Sequence, residues 1–230
     1  ATPPDLRPAQ QRALDAVRRR SAARAGARMP AAPGAIHIHF HPDWLAGGAP
    51  VIEQLAGNGR YLSQFESGIS NGSLSPQPGG ARWQWEHDGF AGAYDDAPAS
   101  ERPVYGAVDL APLGHASPCG HGAAPRFGSA WLQLHESACA RSSFCDPDSY
   151  WQPQHTGLWH HMDWQRLQCL ALPDPLDHYV EAQVHGGLLL ARDVATIVLD
   201  PSFAGTAVVD AAQRCGVAVR LHAGYRFTAA

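Results

Sequence analysis

The chain has 230 residues, 45% of them hydrophobic and 17% charged, with a net charge of −4. That length makes one large domain the expectation over two, and the composition supplies a core while excluding the charge excess of a disordered segment. No apolar run approaches the roughly 18 residues of a membrane-spanning helix and none reads as a signal peptide, while Ala1 in place of Met fits removal of an upstream leader.

Residues 1–28 hold seven Arg against Asp5 and Asp15, so they carry +5 and the rest of the chain −9. Pro8 at a first helical position, Leu14 and Val17 on one face and Gly26 as a stop predict a basic helix over about 8–24. Such a helix either meets an anionic partner or is solvated and packed by one thin apolar stripe, and the second reading weighs more. Pro30, Pro33 and Gly34 mark a linker, which divides the chain into a basic helix and linker over residues 1–33 and a main domain over 34–230.

The main domain opens with a strand whose strict alternation sets Ile36, Ile38 and Phe40 on one face and His37, His39 and His41 on the other. A short helix over about 50–56, with Val51, Ile52 and Leu55, stops at Gly57-Asn58-Gly59. Residues 61–72 read as an ordered functional loop. Within it Gly68, Asn71 and Gly72 allow positive φ and close backbone approach, Gln64 and Ser70 offer hydrogen bonds, and Phe65 offers a stacking face.

Between residues 81 and 175 turn signals recur, with short strands expected at 104–110, 129–134 and 141–144. Alternation returns at 178–185, where Val180, Ala182 and Val184 face one way and Tyr179, Glu181, Gln183 and His185 the other. A turn at 190–194, a buried strand at 196–199, a helix over about 205–214 stopped by Gly216 and a strand at 217–221 complete the chain. Strands predominate without regular βαβ alternation, so the fold class is α+β.

Two strands with polar faces, side by side, would wall a cleft. His37, His39 and His41 resemble the HxH of metal-dependent hydrolases, and His155, His160 and His161 could complete a ligand set. Alternate residues on one flat strand usually give only two ligands to one ion, however, the spacing matches no zinc signature, and barrels of that kind are usually longer. No metal is assigned. P-loop and GxGxxG motifs are absent. A Glu in a cleft suits chemistry on a sugar, where a carboxylate activates an incoming nucleophile and stabilises an oxocarbenium-like centre, and Glu181 is the one convincing Glu.

Cys119, Cys139, Cys145, Cys169 and Cys215 form no CxxC pair and are odd in number, which predicts free thiols in a reducing compartment. All 17 basic residues are Arg. A GC-rich genome and selection against lysine-directed modification such as ubiquitination both account for that, and composition does not choose between them.

Glu181-Ala182-Gln183-Val184-His185-Gly186, followed by residues 188–194 and the strand 196–199, resembles the catalytic-glutamate strand of ADP-ribosyltransferases. With His39-Phe40-His41-Pro42-Asp43, residues 63–68, Ser70-Asn71-Gly72, residues 102–106 and Arg126-Phe127-Gly128-Ser129, it resembles a bacterial family long described as a domain of unknown function. That family includes effector ADP-ribosyltransferases of the CteC type, which modify a threonine of host ubiquitin.

The resemblance spans about residues 35–205 and implies an ADP-ribosyltransferase-like split two-sheet core with peripheral helices and NAD as co-substrate across the cleft. It implies that Glu181 holds the nicotinamide ribose 2′-hydroxyl and activates the acceptor, that His39 or His41 grips NAD, that Tyr105 is the following aromatic, and that Gln183 contacts substrate or acceptor. Gln64, Phe65, Ser70 and Asn71 are expected to order around NAD. The first strand has no Arg, there is no Ser-Thr-Ser, and the Glu-x-Gln order points away from transfer to arginine.

The implied partner is ubiquitin, with neither nucleic acid nor membrane, and the implied setting is a secreted bacterial effector, a toxin, in the host cytosol. The alternatives are an NAD glycohydrolase with water as acceptor, a metal-dependent hydrolase and a non-catalytic binding module.

Overall fold

The structure, a computed structural model, describes residues 5–22, 34–69, 75–117, 119–151 and 155–226. In chain order its elements are α1 (Pro8–Ser21), β1 (Ile36–Phe40), β2 (Leu45–Ala46), β3 (Ala49–Pro50), α2 (Val51–Asn58), β4 (Arg60–Tyr61), α3 (Gln64–Ser67) and α4 (Ala81–Phe90). Then come β5 (Val104–Val108), β6 (Ala130–Leu134), β7 (Ser142–Asp146), β8 (His155–Leu158), β9 (Glu181–Val184), β10 (Leu188–Leu189), α5 (Leu190–Asp193), β11 (Val194–Leu199), α6 (Ala207–Arg214) and β12 (Ala218–Leu221), with several single-turn 3₁₀ helices between. None of the described helices is long and apolar enough to cross a membrane.

Eight strands form the central sheet in the order β12-β11-β6-β1-β5-β9-β7-β8, antiparallel except for the β11–β12 pair. The class is α+β, as the sequence predicts. Hydrogen bonding runs across the whole sheet, but its middle is barely joined: β1 and β5 pair only at Ile36–Val108 and His37–Ala107. Beyond those two pairs the strands part, so the sheet is splayed into a β12-β11-β6-β1 half and a β5-β9-β7-β8 half. Gly106 sits at the fork, where a Cβ would lie 2.5 Å from Ile38 Cδ1; a side chain there would force the join apart.

One face of the sheet is apolar throughout. Ile36, Ile38 and Phe40 of β1, Leu132 and Leu134 of β6, Phe144 of β7, and Ala182 and Val184 of β9 belong to one buried cluster, to which α2 adds Ile52 and Leu55 and α6 adds Ala211 and Ala212. Alternation in the sequence is thus obeyed on both β1 and β9. The polar face, however, is covered as well. His37 and His39 are 4% and 6% exposed and Glu181 6%, so these strands are buried on both sides rather than half-buried.

The covering layer is built over β9, β7 and β8 by α1, α4 and the loops around β7, and over β1 by residues 119–128. The predicted helix over 8–24 is observed as α1, ending at Ser21; Gly26 and the proline linker lie outside the described residues. Its stripe, Ala9, Ala13, Leu14 and Val17, packs on Phe90, Tyr94 and Leu158. Two of its arginines are used locally, Arg12 donating to Ala93 O at 3.3 Å and Arg20 to Asp88 O at 3.0 Å.

Two expectations need correction. Residues 64–67 are not loop but a helical turn, closed by a reciprocal box in which Glu66 N–H donates to Ser63 Oγ at 3.2 Å and Ser63 N–H to Glu66 Oε2 at 3.0 Å. The stretch from residue 81, expected to hold turns and short strands, opens with α4, whose inward face is Arg82, Glu86 and Phe90.

Candidate active site

Cross-strand register puts the polar residues in rows on the covered face. Ala107 of β5 stands opposite both His37 of β1 and Glu181 of β9, and Cys145 of β7 stands on the far side of Glu181. His37 and Glu181 are therefore two strand spacings apart, about 10 Å between backbones. In the next row Tyr105 and Ser143 flank Gln183. The two polar strand faces look onto the same space.

Glu181 ends two chains of hydrogen bonds. On one side Arg82 Nη1 donates to Ser149 Oγ at 2.9 Å, and the Ser149 hydroxyl donates to Glu181 Oε2 at 2.8 Å. On the other, Ser143 Oγ donates to Gln183 Oε1 at 2.7 Å, and Gln183 Nε2 donates to Glu181 Oε1 at 2.8 Å. Ser143 in turn meets His185 Nε2 at 3.1 Å, and Tyr94 closes the chain at His185 Nδ1 at 2.6 Å.

Because the Ser143 proton is used on Gln183, the imidazole carries its proton on Nε2 and receives one from Tyr94 on Nδ1. Burial pushes the His185 ring down to about 3, so it is neutral. Both oxygens of Glu181 accept a hydrogen bond, a pattern that suits an ionised carboxylate. Burial pushes the Glu181 carboxyl up, the Arg82 guanidinium pulls it down and Asp148 raises it again.

Arg82 is held from behind. Its guanidinium lies 4.2 Å from the centre of the Tyr105 ring, whose hydroxyl donates to Glu86 Oε1 at 2.9 Å. Glu86 is paired in turn with Arg102 at 2.6 Å. Cys145 receives a hydrogen bond from Gln183 Nε2 at 3.3 Å, and burial pushes its thiol far up, which removes it as a thiolate nucleophile.

A cavity of about 550 Å³ opens where β1 and β5 part, within the range of small-molecule and cofactor sites. Its walls include Glu181 and Tyr179 from the β9 side, His37, His39 and His41 from the β1 side, Tyr61 and Gln64 from above, and Arg60, Arg82 and Arg126. Three of its buried polar atoms, Arg82 Nε, Gln64 Oε1 and His37 Nδ1, have no hydrogen-bond partner among the described residues. The other two guanidinium groups are engaged, Arg60 with Glu66 at 2.7 Å and Arg126 with Asp174 and Asp177. Among the described residues no group of three His, Cys, Asp or Glu side chains is placed to share a metal ion.

Of the residues singled out in the sequence, His39, His41, Gln64, Tyr105 and Glu181 line this cavity, and Gln183 stands directly behind Glu181. The β1 histidines are not alike. His39 uses both ring nitrogens internally, Nδ1 with Gly128 O at 2.9 Å and Nε2 with Ala124 N–H at 3.1 Å. The loop can close this tightly because residue 128 is Gly, where a Cβ would lie 2.2 Å from Phe40 C. His41, just past the strand, is partly exposed with its ring 4.5 Å from Trp44.

Phe65 is turned away from the cavity, with Arg102 stacked 4.0 Å over its ring. Ser70 and Asn71 lie outside the described residues. Arg82 and Ser149 did not stand out in the sequence. Arg82 begins a helix with no apolar stripe, and Ser149 is one polar residue in a turn; neither bears a motif.

The family model described as protein of unknown function (DUF3626) matches residues 35–170 and 165–230. No curated protein matches the chain. Among solved structures the chain is similar to Thermus sp. 2.9 DarT in complex with NAD+, at a TM-score of 0.47 and 14% identity over 85% of this chain and 98% of that one. It is equally similar to Thermus sp. 2.9 DarT in complex with ADP-ribosylated ssDNA, at 0.47 and 14% over 86% and 98%. The model matches well over half of the residues, and the chain belongs to the DUF3626 family.

Proposed function

We propose that the chain is an NAD-dependent mono-ADP-ribosyltransferase acting on a protein hydroxyl. The observation that carries this reading is Glu181, a buried carboxylate used purely as an acceptor at the wall of a cleft between two polar strand faces. NAD supplies the ADP-ribosyl group at its glycosidic C1′–N bond, from which nicotinamide departs with the electron pair.

The unspent atoms suit such a ligand. Arg82 Nε can donate to a pyrophosphate or carboxamide oxygen, Gln64 Oε1 can accept from an amide or adenine NH₂, and the Tyr105 and Tyr61 rings offer apolar walls. Glu181 would hold the ribose 2′-hydroxyl, face the positive charge that develops at C1′ and take the acceptor's hydroxyl proton. Gln183, already committed to Glu181, orients that carboxylate rather than the substrate.

A threonine of ubiquitin is the acceptor we infer, and a host cytosol reached by a secreted effector is the setting. The blocks shared with the CteC-type transferases support both, as do the absence of lysine and a main domain of charge −9 that suits a basic surface on the acceptor.

Intact-mass measurement after incubation with NAD tests the reading, using ubiquitin, an unrelated threonine-rich protein, single-stranded DNA and no acceptor in parallel. One ADP-ribosyl increment on ubiquitin, absent with Glu181→Gln, is the expected result. Labelling of DNA instead would overturn the acceptor class, free ADP-ribose alone would make the chain a hydrolase, and no NAD consumption with any acceptor would sink the reading.

A further inference from the structure

We propose that Ser149 is a positioning residue for Glu181, and that Arg82 sets the direction in which Ser149 donates. The inference rests on the transferase reading for its meaning in catalysis, but its geometry stands apart from any substrate. Ser149 and Arg82 are 5% and 4% exposed. A guanidinium has no acceptor, so Arg82 Nη1–H can only donate to Ser149 Oγ. The single Ser149 proton is left free to point at Glu181 Oε2, 2.8 Å away. Without Arg82 the hydroxyl could rotate and present a lone pair to the carboxylate; with it, the donating orientation is favoured.

Gln183 acts from the other side in the same sense, its amide fixed by Ser143. Glu181 is thereby held from two directions in one rotamer at the cavity wall. The two supports differ in origin: Gln183 comes from the strand of Glu181 itself, whereas Ser149 and Arg82 arrive from the β7–β8 turn and α4. The groups facing Glu181 are Arg82 of α4, Tyr105 of β5, Cys145 of β7, Asp148 beside Ser149 and Tyr179 just before β9. Arg82 alone is cationic, Asp148 opposes it, and burial keeps Tyr105, Tyr179 and Cys145 in their neutral forms. Loss of the Ser149 hydroxyl therefore removes support for the ionised carboxylate without removing any net charge.

The test reads the carboxyl directly. The chain has six Glu, so side-chain ¹³Cδ labelling of Glu gives a small set of signals, and Glu181→Gln identifies the one of interest. Ser149→Ala is expected to move the Glu181 titration up by about one pH unit, the scale of one hydrogen bond to a charged group. Ser149→Thr, which keeps the hydroxyl, should restore it, and Arg82→Gln should move it further than Ser149→Ala.

In NAD turnover the acidic limb of the kcat profile should shift with the same titration while KM for NAD stays within about twofold in Ser149→Ala. The Glu86 signal, from another buried carboxyl, reports that each variant is folded. An unchanged Glu181 titration in a folded Ser149→Ala protein would overturn the inference even if the enzyme is a transferase. A shifted titration in Ser149→Ala, with a wild-type protein that consumes no NAD, would uphold the relay and discard the transferase reading.

Discussion

The polar face of β1 consists of His37 and His39; that of β9 consists of Glu181 and Gln183, with His185 just beyond. Both are buried, both lie on the same side of the sheet, and both are backed by the same apolar core. Their hydrogen-bonding capacity is spent differently. His39 gives both nitrogens to one loop, and its ring and that of His37 lie 5.3 and 5.4 Å from Trp131, so His39 serves to clamp the 119–128 loop onto β1. Glu181 receives one bond on each oxygen from groups that are themselves fixed, and it lines the cavity. A polar residue on a strand becomes catalytic material when its capacity is oriented but not used up.

That contrast gives a graded set of expectations. Glu181→Gln keeps the shape but replaces an acceptor-only group with one that must donate, into neighbours that already donate. Transfer should fall by about 10²–10⁴, the range for loss of a general base, with the melting temperature nearly unchanged; a fall of less than about tenfold would move the chemistry away from β9. His39→Ala should do the reverse. It strands Ala124 N–H and Gly128 C=O in a buried place, and each lost partner costs about 1–3 kcal/mol. A large drop in melting temperature with residual kcat is expected, and a fully stable variant with NAD affinity lost would show His39 to be a ligand-gripping residue after all.

Alternation at 36–40 and 179–185 made both strands and both polar faces legible before any coordinates, because period two is imposed by the backbone itself. What the pattern did not distinguish is a face open to water from one covered by a second polar and aromatic layer. The covering of β9 comes from α4, and α4 was illegible for a physical reason: its inward residues are Arg82, Glu86 and Phe90 at i, i+4, i+8, so its buried stripe reads as hydrophilic. Glu181 is legible as a candidate because its chemistry and its strand coincide. Arg82 and Ser149 are not, since they meet Glu181 only through contacts between residues 67 and 32 positions apart. The helical turn at 64–67 is readable in principle, as Ser63 and Glu66 hold capping-box spacing, but the glycines after it favour a loop.

The buried histidines also set a pH dependence of stability. Burial pushes His37, His39 and His185 down from 6.5 to about 3. Each is neutral in the folded chain and takes up a proton on unfolding below about pH 6.5. Stability from this source is complete above that value and is lost as pH falls toward 3. Carboxyls that burial raises, Asp109, Asp148 and Glu181 among them, act the opposite way, so the difference between two proteins is the clean measurement. Replacing His37 with Asn should flatten the slope of unfolding free energy against pH, between 4 and 6, by about 1.4 kcal/mol per unit, one proton's worth. An identical slope in wild type and variant would mean that His37 is already protonated when folded.

His41 sharpens the comparison at its smallest scale, because it belongs to the β1 pattern yet escapes the β1 fate. It lies one residue past the strand, partly exposed, with a ring 4.5 Å from that of Trp44, itself 54% exposed at the mouth of the cavity. Among the described residues no side-chain hydrogen bond ties its ring as Gly128 and Ala124 tie that of His39. His41→Ala therefore removes a surface for a ligand rather than a clamp for the fold. An aromatic contact of about 1 kcal/mol predicts a rise in KM for NAD of roughly fivefold, with kcat and melting temperature close to wild type. If His41→Ala instead lowers the melting temperature as His39→Ala does and leaves KM alone, then all three histidines of the pattern are structural and the β1 half of the cleft contributes shape but no contact.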